Sequence, residues 1–311
     1  MRREVLAVNW QPAAPLRQAR TRSNPAPRLR WWTIALAGIA LLLGLLALAP
    51  QSRAAGVETF TQHPYTKDSI KTVDHAAWDQ LLKTYVEAGP DGINRVAYAK
   101  FKANGGAALQ SYIKSLESAD PASLGRDEAF AYWANLYNAK TVQIVLNAYP
   151  VRSIKDINLG GGLLAAVTGG PWKAKTLKVK GVDLSLDDIE HGLLRPTFKD
   201  PRVHYAVNCA SISCPNLGTE AFKGATLDAQ LNAAASAYIN HPRGVRVEAT
   251  EITASSIYDW FQKDFGGDEA GVLAHFRAHA SEALKQKLKG ITSIADFGYD
   301  WSLNDINVAK P

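Results

Sequence analysis

The sequence predicts an α+β fold, a helix-rich single domain with a small antiparallel sheet. Several segments carry apolar residues at helical spacing, and the longest extends from Arg126 to Pro150. Two short segments, Lys173–Leu186 and Gly244–Ala249, alternate in polarity as strands do. The chain after Asp74 has no internal repeat and no low-complexity break, so we expect one compact domain.

The charge distribution divides the chain into a basic start and a nearly neutral body. The formal net charge is +6, but the first 53 residues carry eight arginines and a single acid, Glu4, for a net charge of +7. The remaining residues therefore carry a net charge of −1. The pI of about 9.2 reflects the N-terminal arginines, and it does not predict a nucleic-acid partner.

The N-terminal arginines are typical of the flank of a membrane segment. Residues 1–30 are rich in Arg, Pro and Ala and predict a disordered cytoplasmic tail. Trp31–Ala49 is a run of 19 uncharged residues, which predicts an inner-membrane anchor or the apolar region of a signal peptide. Because arginines stay on the cytoplasmic side, the body should be exported. Residues 50–73 are then a linker, and residues 74–311 form the globular domain.

The residues that follow this segment do not decide whether it is cleaved. Ala47-Leu48-Ala49 resembles a cleavage site, but Pro50 disfavours it, so an uncleaved anchor is the preferred interpretation. The anchor would hold the domain in the periplasm or outside the cell, and cleavage would secrete it. Disulfides can form in either place.

The first half of the domain predicts three helices with clear boundary signals. Asp74 is a candidate N-cap of the first helix, and residues 89–98 form a turn that leads into a short extended piece. The second helix ends before Pro121. The third begins at Arg126 and ends before Pro150.

The second half of the domain predicts shorter elements. A β-hairpin should turn at Lys180-Gly181, and Ser185 with Asp188 has capping-box spacing for a short helix. The remaining segments follow in chain order: a strand at 202–208, a helix at 226–240, a strand at 244–249, two further helices and a tail at 297–305.

Two asparagines on the long helix are candidate site residues. The helix is apolar on nearly every side around them, which predicts that it is buried. Asn135 and Asn138 are three residues apart and share a face. A buried amide without partners costs about 1–3 kcal/mol, so the two side chains either tie the backbone of a neighbouring loop or line and orient a site.

Both cysteines lie in the stretch "RVHYAVNCASISCPNL". On the predicted strand, His204 and Asn208 share one face, which suits either a polar pocket or a structural histidine. Cys209 and Cys214 admit three interpretations: a disulfide, a reactive thiol with a histidine base, or metal ligation. Their spacing is not that of a standard zinc knuckle, so a metal would also require His191 or His204.

A short charged helix and the C-terminal tail supply further candidates. Asp187 and His191 are four residues apart and can pair, with Glu190 beside them; the alternative is a solvated charged face. His191 would be a general base or ligand oriented by Asp187. Asp300 in the tail could orient a histidine as the third member of a triad does, or belong to a structural tail in which Trp301 packs on the core.

Four stretches, "AFAYWANLYNAKT", "SLDDIEHGLLRP", "RVHYAVNCASISCPNL" and "YDWSLN", together resemble the bacterial DUF547 family. The resemblance covers roughly Asp74–Asn304 and implies a single α+β domain, often exported, with no agreed activity. More loosely, a buried helix with polar residues followed by a histidine strand is similar to papain-like and transglutaminase-like folds. In those folds the nucleophilic cysteine starts the core helix. This helix carries no cysteine, so any thiol chemistry must come from the later loop.

We therefore expect one polar pocket, formed by the core helix, the short helix, the strand and the cysteine loop. The leading hypothesis is a cell-envelope enzyme of thiol type that hydrolyses or transfers acyl groups on peptides. Cys209 would attack, His204 or His191 would be the base, and Asp300 or Asn138 would orient it. The alternatives are a non-catalytic binding or scaffold module stapled by a disulfide between the two cysteines, and a His/Cys metal-binding domain.

Sequence motifs for nucleotide binding, zinc proteolysis and lipase-type hydrolysis are absent from the chain, so we expect no cofactor. The candidate catalytic residues are Cys209, His204, His191, Glu190, Asn138 and Asp300, and the candidate binding residues are Asn135, Asn208 and Cys214.

Overall fold

The computed structural model describes residues 51–159 and 170–307. The predicted cytoplasmic tail at 1–30 and the predicted membrane segment Trp31–Ala49 lie outside these ranges. Within them, no helix combines the length and the apolar character needed to cross a bilayer. The prediction of a transmembrane helix is therefore corrected: the described residues contain none.

Helices make up most of the described chain, which confirms a helix-rich domain. The α-helices of the described residues are α1 Gln51–Gln62, α2 Ala76–Tyr85, α3 Tyr98–Asn104, α4 Gly106–Ser118, α5 Arg126–Ala148, α6 Arg195–Phe198, α7 Val203–Ala206, α8 Leu227–Ile239, α9 Ile257–Trp260, α10 Glu269–His279 and α11 Glu282–Lys287. A π-helix, Asp188–Leu194, precedes α6 directly.

Seven short strands form three small sheets in the described residues. The strands are β1 Val86–Ala88, β2 Asn94–Val96, β3 Leu177–Val179, β4 Val182–Leu184, β5 Val245–Glu248, β6 Glu251–Ser255 and β7 Asp296–Gly298. β1–β2 and β3–β4 are antiparallel pairs, and the third sheet has the order β5-β6-β7. β5 and β6 are antiparallel, whereas β7 adds in parallel beside β6. The α+β class is confirmed, with one parallel pair where an antiparallel sheet was expected.

The long helix α5 forms the centre of the larger hydrophobic core. Its residues are buried on every side, as the apolar sequence around Asn135 predicts. The Tyr132 hydroxyl donates to the Leu116 carbonyl at 2.7 Å, and the Trp133 ring meets Phe60 edge-on. Phe60 belongs to α1, so the folded body includes a helix inside the range predicted as a linker.

Local signals predict the β3–β4 hairpin and the helix that follows it correctly. Lys180 and Gly181 both have positive φ, 50° and 85°, as a tight hairpin turn requires. The Asp188 carboxylate accepts the backbone N–H of Ser185 at 2.7 Å, and the Ser185 hydroxyl accepts the backbone N–H of Asp188 at 3.1 Å. This reciprocal pair is the predicted capping box, and Lys175 adds an ion pair to its carboxylate.

The strand predicted at residues 202–208 is wrong. The chain forms the helical turn α7 there, and Val207, which follows the turn, is extended. The Asp200 carboxylate accepts the backbone N–H of Arg202 at 2.9 Å, which starts the turn. A short apolar segment of this kind fits a strand and a buried helical turn equally well, so periodicity alone could not separate them.

The polar or helical sequence around them predicts a surface position for His63, His75, His241, His275 and His279. In the structure His63 is exposed, His75 is buried and the other three are half-buried. His75 is 4% exposed, and its Nδ1 lies 2.7 Å from the Tyr112 hydroxyl. His275 is half-buried, and its Nε2 lies 2.8 Å from the Tyr205 hydroxyl. Burial, with a smaller effect of His279, lowers the pKa of His275 to about 4.

The lowered pKa of His275 predicts an acid-sensitive contribution to stability. In the unfolded chain His275 binds a proton below about pH 6.5, whereas in the folded chain it stays neutral until the pH falls to about 4. The free energy of unfolding should therefore fall as the pH drops through this window. His275→Gln should make the fall shallower, by at most roughly 1.4 kcal/mol per pH unit. Urea unfolding between pH 7 and pH 4.5 measures it, with the exposed His63→Gln as control. Equal slopes in wild type and His275→Gln would contradict the prediction.

Candidate functional site

A cavity of about 250 Å³ lies between the cysteine loop, the π-helix and the C-terminal tail. Its lining combines polar and charged side chains with aromatic ones. Its lining residues are Tyr137, Trp172, Lys173, Asp187, Glu190, His191, His204, Val207, Cys209, Cys214, Ile257, Trp260, Phe261, Tyr299 and Trp301. Five of the predicted site residues, Glu190, His191, His204, Cys209 and Cys214, therefore share one cavity.

The two cysteines are free thiols in direct contact. Their sulfur atoms lie 3.0 Å apart, and Cys214 Sγ also accepts the backbone N–H of Cys209 at 2.9 Å. Cys209 Sγ lies 3.2 Å from the Ser211 hydroxyl and 3.1 Å from the Tyr299 hydroxyl. Cys209 is half-buried on the cavity, whereas Cys214 is 4% exposed. Three hydrogen-bonding groups thus surround one accessible sulfur.

This environment separates the two thiols electrostatically. A hydrogen bond from the Cys214 thiol lowers the pKa of Cys209, and the hydroxyls of Ser211 and Tyr299 add to this effect, while burial and the charge of Glu190 oppose it. Burial and the neighbouring Cys209 sulfur raise the pKa of Cys214 well above its ordinary value. These shifts predict that Cys209 is the thiol that ionises first. The Cys209 thiol donates to Cys214 Sγ in the structure, and when Cys209 ionises this hydrogen bond reverses so that Cys214 donates to the thiolate.

Asn138 fixes the backbone that leads to the thiol. Its amide donates to the Ala206 carbonyl at 2.8 Å and accepts the backbone N–H of Asn208 at 2.8 Å. Asn208 in turn donates to the Pro215 carbonyl at 2.7 Å and accepts the N–H of Ala210 at 2.9 Å. Both amides thus shape the loop through its backbone, and the structure gives Asn138 no contact with a histidine among its described hydrogen bonds.

Asn135, one turn away on α5, makes the same kind of contact at a different place. Its amide donates to the Phe222 carbonyl at 2.8 Å and accepts the Phe222 N–H at 3.0 Å. It is 1% exposed and is not among the residues that line the cavity. The structure therefore separates Asn135 from the other candidates.

The π-helix places Glu190 inside the cavity and His191 at its rim. The backbone N–H of Arg195 bonds to the Glu190 carbonyl five residues back, which widens the turn. Glu190 is 9% exposed, and His191 is exposed. The ring of His191 lies between the Asp187 carboxylate, 3.7 Å from Nε2, and Arg195, whose Nη1 lies 2.8 Å from Nδ1. The predicted pairing of Asp187 with His191 is a loose one.

His204 is held between two carboxylates. Its Nε2 lies 2.7 Å from Asp264 Oδ2, and its Nδ1 lies 4.0 Å from Glu190 Oε1. The ring stacks on Phe261 with a centroid distance of 4.3 Å and is 2% exposed. Arg195 donates to the same Asp264 oxygen at 2.6 Å. Although burial opposes it, hydrogen bonds from His204 and Arg195 hold the pKa of Asp264 well below its usual range.

Three contact residues of this site were not among the sequence candidates. Asp264 occupies the orienting position expected of Asp300, whose exposed carboxylate instead accepts the backbone N–H of Ser302 at 2.8 Å. Tyr299, adjacent to the quoted "YDWSLN", and Ser211, between the cysteines, both reach Cys209 Sγ. The tail motif thus pointed to the correct region of the chain, but it did not identify the Tyr299 hydroxyl as the group that contacts Cys209.

The described residues do not bring metal ligands together. Across 51–159 and 170–307, no three His, Cys, Asp or Glu side chains are grouped in a way that could hold a metal ion. His204 faces two carboxylates rather than the thiols, and His191 faces Asp187 and Arg195. The ligand set considered from the sequence, the two cysteines with one of these histidines, is therefore not assembled.

Fold and site together define a helix-rich α+β domain with an unequal thiol pair in a partly aromatic cavity. Residues 121–239 match the DUF547 family, described as a protein of unknown function. The family resemblance is confirmed over this range, which contains α5, the π-helix and both cysteines. No curated protein and no solved structure matches the chain.

The paired asparagines allow a test of the positioning role of Asn138. Asn138→Ala and Asn135→Ala each remove two buried backbone contacts, so each should lower the free energy of unfolding by about 1–3 kcal/mol. Only Asn138→Ala should also slow alkylation of Cys209, because only its partners lead to the thiol. Urea unfolding and timed alkylation with mass analysis measure the two effects. Equal alkylation rates in both variants would show that Asn138 is only structural.

The donor role of Cys214 predicts a shift in the titration of Cys209. Cys214→Ala removes the contact that most lowers the pKa of Cys209, so the midpoint of the pH profile for alkylation should move to higher pH. Ser118→Ala, at an exposed residue outside the cavity lining, is the control and should leave the midpoint in place. A midpoint that does not move in Cys214→Ala rules out the donor role.

Proposed function

We propose that the domain is a thiol-dependent hydrolase or acyl transferase with Cys209 as its nucleophile. The observation that carries this proposal is the asymmetry of the two thiols. Cys209 opens onto the cavity and is surrounded by donors that lower its pKa, whereas its neighbour is buried and kept protonated. Active-site thiols require this combination of access and stabilised thiolate.

The proposed reaction begins when the Cys209 thiolate attacks an acyl carbonyl. A bond forms between sulfur and the carbonyl carbon, the bond to the leaving group breaks, and the leaving group departs with a proton. Water or another acceptor then attacks the thioester and returns the thiolate. The hydroxyls of Ser211 and Tyr299, which contact the sulfur, lie near the place where negative charge changes during these steps.

We assign the proton transfers to His204 and Glu190. Both line the cavity, and His204 Nδ1 lies 4.0 Å from Glu190 Oε1. Asp264 holds the opposite ring nitrogen of His204 and orients the imidazole, as the third residue of a triad does. His191 also lies near Glu190, with Nδ1 3.9 Å from Oε1, but its ring is exposed and is held by Arg195 and Asp187, so we assign it to substrate entry.

The predicted export of the body and a peptide or other cell-envelope substrate remain part of this proposal. So does the loose similarity to papain-like and transglutaminase-like enzymes, which use the same type of nucleophile. The cysteine loop beyond α7, rather than the start of the core helix, supplies the thiol here.

A second function is favoured by the 3.0 Å between the two sulfur atoms. A small movement would allow a disulfide, which would make the domain a stapled binding or scaffold module. Closing so short a loop would stabilise the fold by about 2 kcal/mol. Alkylation before and after unfolding, in protein purified without reductant, separates the two functions. A permanent crosslink favours the module, and a free, fast-reacting Cys209 favours the enzyme.

The enzyme proposal predicts that Cys209→Ser loses turnover without losing the fold. Serine is nearly the same size, but its hydroxyl ionises far less readily than a thiol, so the attacking anion is lost. Hydrolysis of a panel of peptides, esters and thioesters measures turnover, and thermal unfolding measures the fold. Ser213→Ala is the control from the same loop. A fully active Cys209→Ser protein would overturn the proposal.

A further inference from the structure

We propose that the aromatic wall of the cavity, centred on Trp260, binds a flat, uncharged apolar group of the acyl substrate beside Cys209. This specificity rests on the proposed function and names the class of substrate that the thiol would meet: acyl compounds with an aromatic or similarly flat apolar group next to the reacting carbonyl.

The wall is built from parts of the chain that are distant in sequence. Trp172 lies within the short 3-10 helix Gly170–Lys173, and Trp260 is the last residue of α9. Tyr299 and Trp301 belong to the C-terminal tail. The ring of Tyr299 lies 5.0 Å from that of Trp260 and 4.6 Å from that of Trp301. Because the Tyr299 hydroxyl also lies 3.1 Å from Cys209 Sγ, the wall begins directly at the reactive sulfur.

Trp260 is the exposed member of this wall. It is 47% exposed, which is unusual for a large apolar side chain in a folded domain. Trp301 is covered on its face by the Lys155 ammonium at 5.1 Å and meets the Trp172 ring at a centroid distance of 5.8 Å. The Trp260 indole itself stacks on Trp301 at a centroid distance of 5.8 Å, and because it lines the cavity and is only half covered, its remaining surface is where a planar group can stack next to the thiol.

The charges of the cavity indicate what kind of group fits. The charged side chains of the lining, with the histidines counted as neutral, are Asp187, Glu190 and Lys173, so their formal net charge is −1 and a further anion in the cavity is disfavoured. The Tyr299 hydroxyl is engaged with Cys209 and Ser211, so the wall meets a ligand mainly through the ring faces and indole N–H groups of its tryptophans. An uncharged apolar ring is the group that this wall accepts.

Alkylation of the full chain by a matched series of chloroacetamides tests the inference. The N-methyl, N-benzyl and N-carboxymethyl amides all react in one way: the Cys209 thiolate forms a bond to the CH₂ carbon, chloride leaves, and the thiol proton passes to the buffer. Each rate is divided by that of glutathione. The benzyl reagent should be favoured over the methyl reagent by about two- to tenfold, and the carboxymethyl reagent should be disfavoured.

Variants of the wall connect this preference to Trp260. Trp260→Ala should lower the benzyl-to-methyl ratio to that of glutathione, and Trp260→Phe should keep part of it. Ile306→Ala, which removes an exposed apolar side chain outside the cavity lining, should keep the full ratio. A wild-type ratio equal to that of glutathione, or a full ratio in Trp260→Ala, overturns the inference alone. Failure of the methyl reagent to modify native Cys209 overturns the proposed function and the inference with it.

Discussion

The candidate site depends on one buried amide, that of Asn138, which holds the backbone on both sides of Val207. Its two bonds reach the Ala206 carbonyl and the Asn208 N–H from a helix that is packed on all sides. The side chain of Asn208 in turn bonds to the backbone of Ala210 and Pro215, which fixes the next part of the loop. A thiol on a loop without such contacts would have no fixed position. Because this loop is hydrogen-bonded to a side chain of the buried helix α5, the packing of α5 determines the position of the sulfur.

That restraint also explains why two chemically identical thiols differ. The loop returns so tightly that Ala210 takes a left-handed conformation, with φ of 59°, a strained arrangement for a residue with a side chain. The turn brings Ser211 and Cys214 back against Cys209, whose sulfur is half-buried on the cavity, whereas Cys214 is almost fully buried. The groups that lower the pKa of Cys209 are thereby held in place before any substrate binds.

Sequence reasoning succeeded where a structure depends on neighbouring residues. The turn at Lys180-Gly181 and the capping box at Ser185 and Asp188 follow from local backbone preferences, and the burial of α5 follows from its composition. The missed contacts depend on distant residues. Asp264 meets His204 across 60 positions, and nothing near Asp264 distinguishes it from a surface acid. The helical turn at 203–206 was predicted as a strand because a short, mostly apolar sequence is typical of both a buried turn and a buried strand.

The site also crosses the boundary of the family match at 121–239. The thiols, Glu190 and His204 lie inside the matched range, whereas Asp264, Trp260 and Tyr299 lie beyond its end. The nucleophile and its proposed proton-transfer groups thus come from the matched segment, while the orienting carboxylate and all of the aromatic wall except Trp172 come from the later chain. In the proposed enzyme, the attacking sulfur and the surface that selects its substrate have separate origins in the sequence. Tyr299 joins them, because it packs in the wall and also contacts the sulfur.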